Sequence, residues 1–254
     1  MSTAYHHAIS NRLFIALSAD ELSYVVTDKD LNSLVNGTLA VPDLDVLANV
    51  VETNQHLKQI FAQVRLVFQG NDFACAPVVF SQKAQRDMVF RANHKLGKEQ
   101  QLVEGSLSKE VGVLYAVQQK RLELLKASYP SLVYNHEVEL FYQFFQSEYK
   151  TQGPCLVLKQ QRHDLLMLVL DDKTLQLANR YTVSNLEDVF YYTMLAVEQL
   201  EIDIEETRLY WLKNTSFSDF QQVAALFENY IQHLEEVDHE QVPGSLENIM
   251  IKCA

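Results

Sequence analysis

Apolar residues near the start of the chain fall on one side of two successive segments, as they do in paired β-strands. Residues 13–17 carry an apolar side chain at every second position, and residues 22–26 repeat this pattern after a polar turn at 18–21. A second polar turn at 28–30 leads into a third segment at 31–39. The pattern predicts a meander of three antiparallel strands.

The rest of the first half alternates between patterns typical of helices and of strands. In order, these predict a helix opened by Asp43, strands at 64–69 and 73–80 flanking a turn at 70–72, a helix capped by Ser81 and ending near His94, an irregular polar loop at 95–112, a strand at 112–117, and helices at 120–127 and 137–149.

The same order begins again after Gly153-Pro154, the best candidate boundary in the chain. The patterns predict strands at 156–159, 164–170 and 174–181, a helix capped by Asn185, a strand at 208–212, a helix at 218–236 and a strand at 248–252. This repetition predicts an α/β protein duplicated into residues 1–152, with inserted strands and helices, and residues 153–254. Two unrelated α+β domains are the alternative.

Charge and glycine content narrow the classes of ligand. The formal net charge of -12 repels a phosphate backbone, so direct binding to nucleic acid is disfavoured. Average usage would give roughly 18 glycines in a chain of this length, whereas it contains only 7. Loops that wrap phosphates need glycine so that backbone N–H groups can approach them, and few positions here could supply it.

The location expected from the sequence is the cytoplasm. No apolar run approaches the ~20 residues that cross a bilayer, and the first residues lack the features of a secretory signal. Cys75, Cys155 and Cys253 are far apart, with no C-x-x-C pair to open a zinc or redox site. We expect ordinary buried thiols.

Three short segments resemble an uncharacterised bacterial family, domain of unknown function 3822: residues 17–24 (LSADELSY), residues 73–80 (FACAPVVF), and Tyr191-Tyr192 following residues 179–181 (NRY). The repeated order of elements also resembles the actin-like (ribonuclease H-like) fold of sugar kinases, heat-shock chaperones of the seventy-kilodalton class and actin. The resemblance implies that fold, without an assigned activity.

Nucleotide-using proteins of the actin-like group bind ATP between their halves with three loops, and the resemblance lets each loop be compared. The first carries D-x-G-[ST], whereas the matching turn at 18–21 has Asp20 without a glycine and adds the charge of Glu21. The turns at 160–163 and 213–216 also lack glycine. These differences predict a fold that no longer handles ATP in the usual way, and hence no cofactor.

If the cleft still holds a small ligand, the polar residues expected nearest to it are Asp20, Arg162, His163 and Lys213. The alternative is that all four are solvated turn residues. A metal site could be assembled from His233, Glu236, Asp238 and His239, but their loose spacing in an acidic run favours a solvated face. No catalytic residues and no metal site are predicted.

Aromatic side chains are concentrated in the helix predicted at 137–149. Phe141, Phe144 and Phe145 share one arc of it and should be core, while Tyr142 and Tyr149 lie elsewhere around the helix. If the helix packs only against its own half, Tyr142 is partly exposed. Two interpretations of this aromatic cluster are open: it forms the core between the two halves, or it is an interface for another protein.

These observations favour a non-enzymatic actin-like protein that binds another protein, through the cleft or an aromatic surface, without contacting nucleic acid or membrane. The alternative from a different class is a diverged ATP-dependent phosphotransferase or ATPase. A further alternative, implied by the family resemblance alone, is a helper of an rRNA-modifying enzyme.

Overall fold

The structure is a computed structural model that describes residues 10–70, 72–80, 82–148, 153–172, 174–212, 220–237 and 249–250. The chain divides into two compact units, Met1–Leu140 with Met250–Ala254, and Phe141–Ile249. The division at Gly153-Pro154 into evolutionary halves stays a prediction. Among the described residues, no helix combines the length and the apolar character needed to cross a membrane.

The described part of the first unit within residues 10–140 contains eight strands, three helices and the start of a fourth helix. The strands are β1 (Arg12–Leu17), β2 (Glu21–Thr27), β3 (Ser33–Ala40), β4 (Gln63–Phe68), β5 (Phe73–Pro77), β6 (Gln100–Ser106), β7 (Val111–Gln118) and β8 (Leu132–His136). The helices are α1 (Leu44–Thr53), α2 (Lys83–Asn93), α3 (Gln119–Ser128) and α4 (Glu137–Glu148), which continues into the second unit.

The predicted meander is confirmed as one side of a five-stranded sheet with the order β3-β2-β1-β4-β8. β1 pairs antiparallel with β2 and parallel with β4, which in turn pairs parallel with β8. β1 is buried along almost its whole length, as expected of a central strand covered on both faces. Asp43 begins α1 as predicted, because its carboxylate accepts a hydrogen bond of 2.8 Å from Val46 N.

Residues 73–118 form a separate small sheet with the order β5-β7-β6, against which α2 packs Phe90. The strands predicted on either side of the turn at 70–72 therefore lie in different sheets. The polar loop predicted at 95–112 is wrong, because residues 100–106 form β6 and pair with β7. Ser81 lies outside the described residues, and Gln82 is the N-cap of α2.

The second unit repeats the topology of the first. Its elements after α4 are β9 (Cys155–Gln161), β10 (Asp164–Asp171), β11 (Thr174–Thr182), α5 (Leu186–Gln199), β12 (Arg208–Leu212), α6 (Phe220–Phe227) and β13 (His233–Val237). Its sheet has the order β11-β10-β9-β12-β13, with the same parallel and antiparallel pairings as the first. A register shift interrupts β2–β3 after Val26 and β10–β11 after Val169.

Asn185 caps α5 as predicted, accepting a hydrogen bond of 2.8 Å from Asp188 N. The helix predicted at 218–236 is wrong beyond Phe227, because residues 233–237 form β13 and pair with β12. The strand predicted at 248–252 is also wrong where the structure describes it, since Ile249 and Met250 are helical.

The aromatic helix α4 is more enclosed than predicted. Phe141, Phe144 and Phe145 are buried as expected. Tyr142 is also only 3% exposed, so it lacks the partial exposure expected of a helix that packs only against its own half. Val138 and Leu140 are buried too, so the helix is covered on all sides over residues 138–142, whereas Gln143, Gln146 and Ser147 farther along it are exposed. Tyr149 lies outside the described residues.

Candidate functional site

The candidate site of the first unit lies where two neighbouring parallel strands end. Leu17 is the last residue of β1 and is in register with Phe68, the last residue of β4. Because parallel strands end at the same edge of a sheet, the loops that follow them meet there, which is where open α/β sheets place their ligands. A cleft of about 180 Å³ lies at this edge, lined by Leu17, Ser18, Ala19, Phe68, Gln69, Gly70, Asp72, Gln100, Gln118 and Arg121.

The turn between β1 and β2 uses its own polar groups to hold its shape. Ser18 N donates a hydrogen bond of 2.9 Å to the carbonyl oxygen of Glu21, and Glu21 N donates one of 3.2 Å to Ser18 Oγ. Ser18 Oγ also lies 3.4 Å from Asp20 Oδ1. Two backbone N–H groups of this turn are therefore committed within it.

Arg121 ties this turn to the segment after β3. It extends from α3, is only 4% exposed, and donates hydrogen bonds to the carbonyl oxygens of Ala19 (2.8 Å, Nη1), Ser18 (3.4 Å, Nη1) and Val41 (2.9 Å, Nη2). Burial lowers the pKa of the guanidinium, while the charges of Asp43 and Asp20 oppose that shift. The turn thus presents its carbonyls to a buried cation.

Two buried carboxylates stabilise the loops beside the cleft. Glu137 is 1% exposed, and its Oε1 accepts a hydrogen bond of 2.9 Å from Gly70 N. Gly70 has a φ of 69°, a conformation that favours glycine. Glu139 is bound by amides on both sides, His136 N at 2.6 Å and Ser106 N at 3.2 Å. The sequence predicts that Glu137 and Glu139 lie at the start of a helix. It does not predict their hydrogen-bond partners or the contacts of Arg121.

The second unit has an equivalent turn between β9 and β10. Arg162 and His163 are adjacent there, both exposed, with Arg162 at a φ of 54°. Val183 N donates to the carbonyl oxygen of His163 at 2.7 Å, and in the first unit Val41 N donates to that of Asp20 at 2.8 Å. Asp20 and His163 therefore occupy matching positions in separate units.

The remaining predicted residues form no site where the structure describes them. Lys213 lies outside the described residues, as do Asp238 and His239. His233 and Glu236 lie three positions apart on strand β13, so their side chains point to opposite faces of the sheet. Within the described ranges, no group of three His, Cys, Asp or Glu side chains could hold a metal ion.

Burial raises the pKa values of the Cys75 and Cys155 thiols to about 12. At neutral pH these thiols therefore stay protonated and are poor nucleophiles. Neither cysteine belongs to the cleft.

Comparison with known proteins identifies the fold. Residues 2–234 match a family described as "Protein of unknown function (DUF3822)". A Bacteroides thetaiotaomicron protein with an actin-like ATPase fold and unknown function is 17% identical, with a TM-score of 0.82 and 97% of each chain covered. A comparison with curated protein sequences finds no match.

Two further solved structures share the fold more distantly. The PilM-PilN type IV pilus biogenesis complex aligns at 14% identity and a TM-score of 0.61, covering 95% of this chain and 96% of the other. The cytoplasmic domain of EpsL, an inner membrane component of the type II secretion system of Vibrio cholerae, aligns at 12% identity and a TM-score of 0.52, covering 96% and 95%. Identities this low establish the actin-like fold alone.

Proposed function

This chain belongs to DUF3822, a family of proteins of unknown function, and from its own residues we propose that it is a non-enzymatic protein-binding module of actin-like fold. In this proposal the residues around the cleft of the first unit stabilise its loops and do not bind a nucleotide. The observation that carries the proposal is the hydrogen bonding of Arg121 to the carbonyls of the β1–β2 turn.

A phosphate-binding turn needs free backbone N–H groups directed at the anion. In this turn, the N–H groups of Ser18 and Glu21 donate to other atoms of the same turn. Its carbonyls accept from Arg121, so the side of the turn that contacts the guanidinium is acceptor-rich. The carboxylates of Asp20 and Glu21 add negative charge, which repels a triphosphate.

A role in a protein complex is consistent with one structural neighbour. PilM has the same fold over nearly the whole length of this chain and is described in a complex with PilN. This similarity supports the general proposal that the chain binds another protein.

Thermal unfolding in the presence of Mg-ATP tests the proposal. A ligand at a hundred times its Kd stabilises a protein by about 2.7 kcal/mol, so millimolar Mg-ATP would shift the melting temperature clearly if an ordinary site existed. We expect no shift. A shift that Asp20→Ala abolishes would overturn the proposal in favour of a diverged ATPase or phosphotransferase.

The positive test is a defined complex. The intact protein is cross-linked in cells, its partner is identified, and the purified pair is titrated by calorimetry with and without Mg-ATP. We expect a saturable complex whose affinity does not depend on nucleotide. A nucleotide-dependent affinity, or the absence of any reconstituted complex, would contradict the proposal.

A further inference from the structure

Three tyrosines form a continuous aromatic surface on the second unit. The rings of Tyr181 on β11 and Tyr192 on α5 are stacked, with centroids 4.4 Å apart and an interplanar angle of 19°. Tyr191 meets Tyr192 edge-on at 5.2 Å and 70°. We call Tyr181, Tyr191 and Tyr192 the tyrosine surface.

The three rings differ in their relation to the hydrophobic core. Tyr181 and Tyr192 are half-buried and pack against the core of the second unit, so core packing accounts for them. Tyr191 is 60% exposed and is not part of that core. A single exposed aromatic ring is common on protein surfaces. Its significance here depends on the groups around it.

Carboxylates flank Tyr191 along the same face of α5. Glu187 lies four residues before it and Glu198 seven residues after it, which places both within about 40° of Tyr191 around a helix of 100° per residue. Both glutamates are exposed. The exposed face of α5 is thus an aromatic ring between two carboxylates.

The chain between Arg180 and Arg208 has negative charges and no positive ones. Residues 181–207 contain seven Asp or Glu side chains and no Lys or Arg: Glu187, Asp188, Glu198, Glu201, Asp203, Glu205 and Glu206. The imbalance extends over the whole second unit, since residues 141–249 contain eighteen Asp or Glu against seven Lys or Arg. The first unit holds fifteen against fourteen, so the negative charge of the protein is concentrated in the second.

We propose that the tyrosine surface binds an arginine-bearing segment of a partner protein, an inference that rests on the protein-binding function proposed above and specifies the partner's chemistry. A guanidinium is planar and weakly hydrated, so it stacks on a tyrosine ring while its N–H groups reach carboxylates on either side. Lysine provides the charge without the planar stack. Nucleic acid and anionic lipid are repelled by the same carboxylates.

Fluorescence anisotropy with labelled decaarginine and decalysine peptides tests the proposal on the full chain. We expect decaarginine to bind more tightly than decalysine. Tyr191→Ala should weaken decaarginine binding about two- to fivefold, the loss expected for one exposed cation–π contact. Tyr191→Phe, which keeps the ring, should bind like the wild type.

Tyr230→Ala is the matched control, because Tyr230 is a 47% exposed tyrosine of the same unit outside the tyrosine surface. It should leave the affinity within twofold of the wild type. Glu187→Gln combined with Glu198→Gln should weaken binding and flatten its dependence on salt. Circular dichroism and melting curves establish that each variant is folded.

Equal affinities for the two peptides, or a Tyr191→Ala protein that binds decaarginine like the wild type, would overturn the proposal. If a reconstituted partner still bound the Tyr191→Ala variant, the proposed protein-binding function would remain supported although the arginine proposal had failed. Binding of Mg-ATP would instead contradict the proposed function while leaving the peptide result unchanged. The two failures are therefore distinguishable.

Discussion

Glu139 accepts a hydrogen bond of 2.6 Å from the backbone N–H of His136, three residues earlier in the chain. Its other oxygen accepts from Ser106 N at 3.2 Å and from Asn135 Nδ2 at 3.1 Å. The side chain is 3% exposed, and burial raises its pKa although these three donors oppose the shift. A buried carboxyl group thereby links the end of β8 to the end of β6.

The raised pKa of Glu139 gives its contribution to stability a definite pH dependence. Since the folded state holds the proton more tightly, the stabilisation is fully present below the unfolded pKa of about 4.3 and is lost as pH rises through the folded pKa. Glu139→Gln cannot titrate, so the wild type should lose stability relative to it as pH rises above about 4.3. Urea unfolding over a series of pH values measures the difference.

Glu123→Gln is the control for this experiment, because Glu123 is exposed on α3. The stability difference between that variant and the wild type should change little with pH. A constant difference for Glu139→Gln as well would mean that the hydrogen bonds cancel the effect of burial on the pKa.

Replacing Arg121 tests how far the β1–β2 turn depends on its guanidinium. Arg121→Met removes three donated hydrogen bonds and leaves the carbonyl oxygens of Ser18, Ala19 and Val41 without this donor. Hydrogen bonds from a charged donor contribute about 1.5–3 kcal/mol each, so we expect a loss of about 3 kcal/mol or more in the free energy of unfolding. Chemical denaturation measures it.

The neighbouring Lys120 provides the comparison, because it is exposed on the same helix. Lys120→Met should change the free energy of unfolding by less than about 0.5 kcal/mol. Arg121→Lys should fall in between, since an ammonium cannot reproduce the fork that reaches separate carbonyls. If Arg121→Met were no less stable than Lys120→Met, the guanidinium would not hold the turn.

The enclosed helix α4 makes Tyr142 a core residue. Tyr142 is 3% exposed and Phe144 1% exposed. We therefore expect Tyr142→Ala and Phe144→Ala each to cost about 3–5 kcal/mol, as truncation of a buried aromatic ring usually does. Calorimetric or urea unfolding of the two variants measures this, with the exposed Tyr191→Ala as the control. If only Tyr142→Ala caused a small loss in the free energy of unfolding, the Tyr142 ring would have to lie at the surface, and α4 would again be a candidate for binding a partner.

The sequence predicts this fold well where short-range patterns decide the structure. Short apolar segments separated by polar turns locate the strands of both meanders. Asp43 and Asn185 mark helix starts because a capping oxygen acts over three residues. β12 has its predicted bounds, Arg208–Leu212. The repetition of one topology follows from these local elements.

Long-range pairing explains the errors. β6 (Gln100–Ser106) is a polar edge strand that is recognisable only through its pairing with β7. β13 (His233–Val237) continues the apolar spacing of the helix before it, and only its parallel pairing with β12 makes it a strand. The candidate site is only partly predictable for the same reason. The hairpin pattern locates Asp20, but no sequence spacing predicts that Arg121 contacts the same turn.

The small sheet inserted between β4 and β8 influences how the first unit reaches its fold. β1 and β2 meet across a short turn, with Leu17 opposite Leu22, whereas β4 must pair with β8 across a long segment, Val64 with Leu132. Loop closure costs more entropy as the loop lengthens, and long-range parallel pairing is slow. We expect residues 73–118 to order first and thereby to shorten the flexible segment that remains to be closed. Pulse-labelled hydrogen exchange during refolding should then find β7 protected before β8.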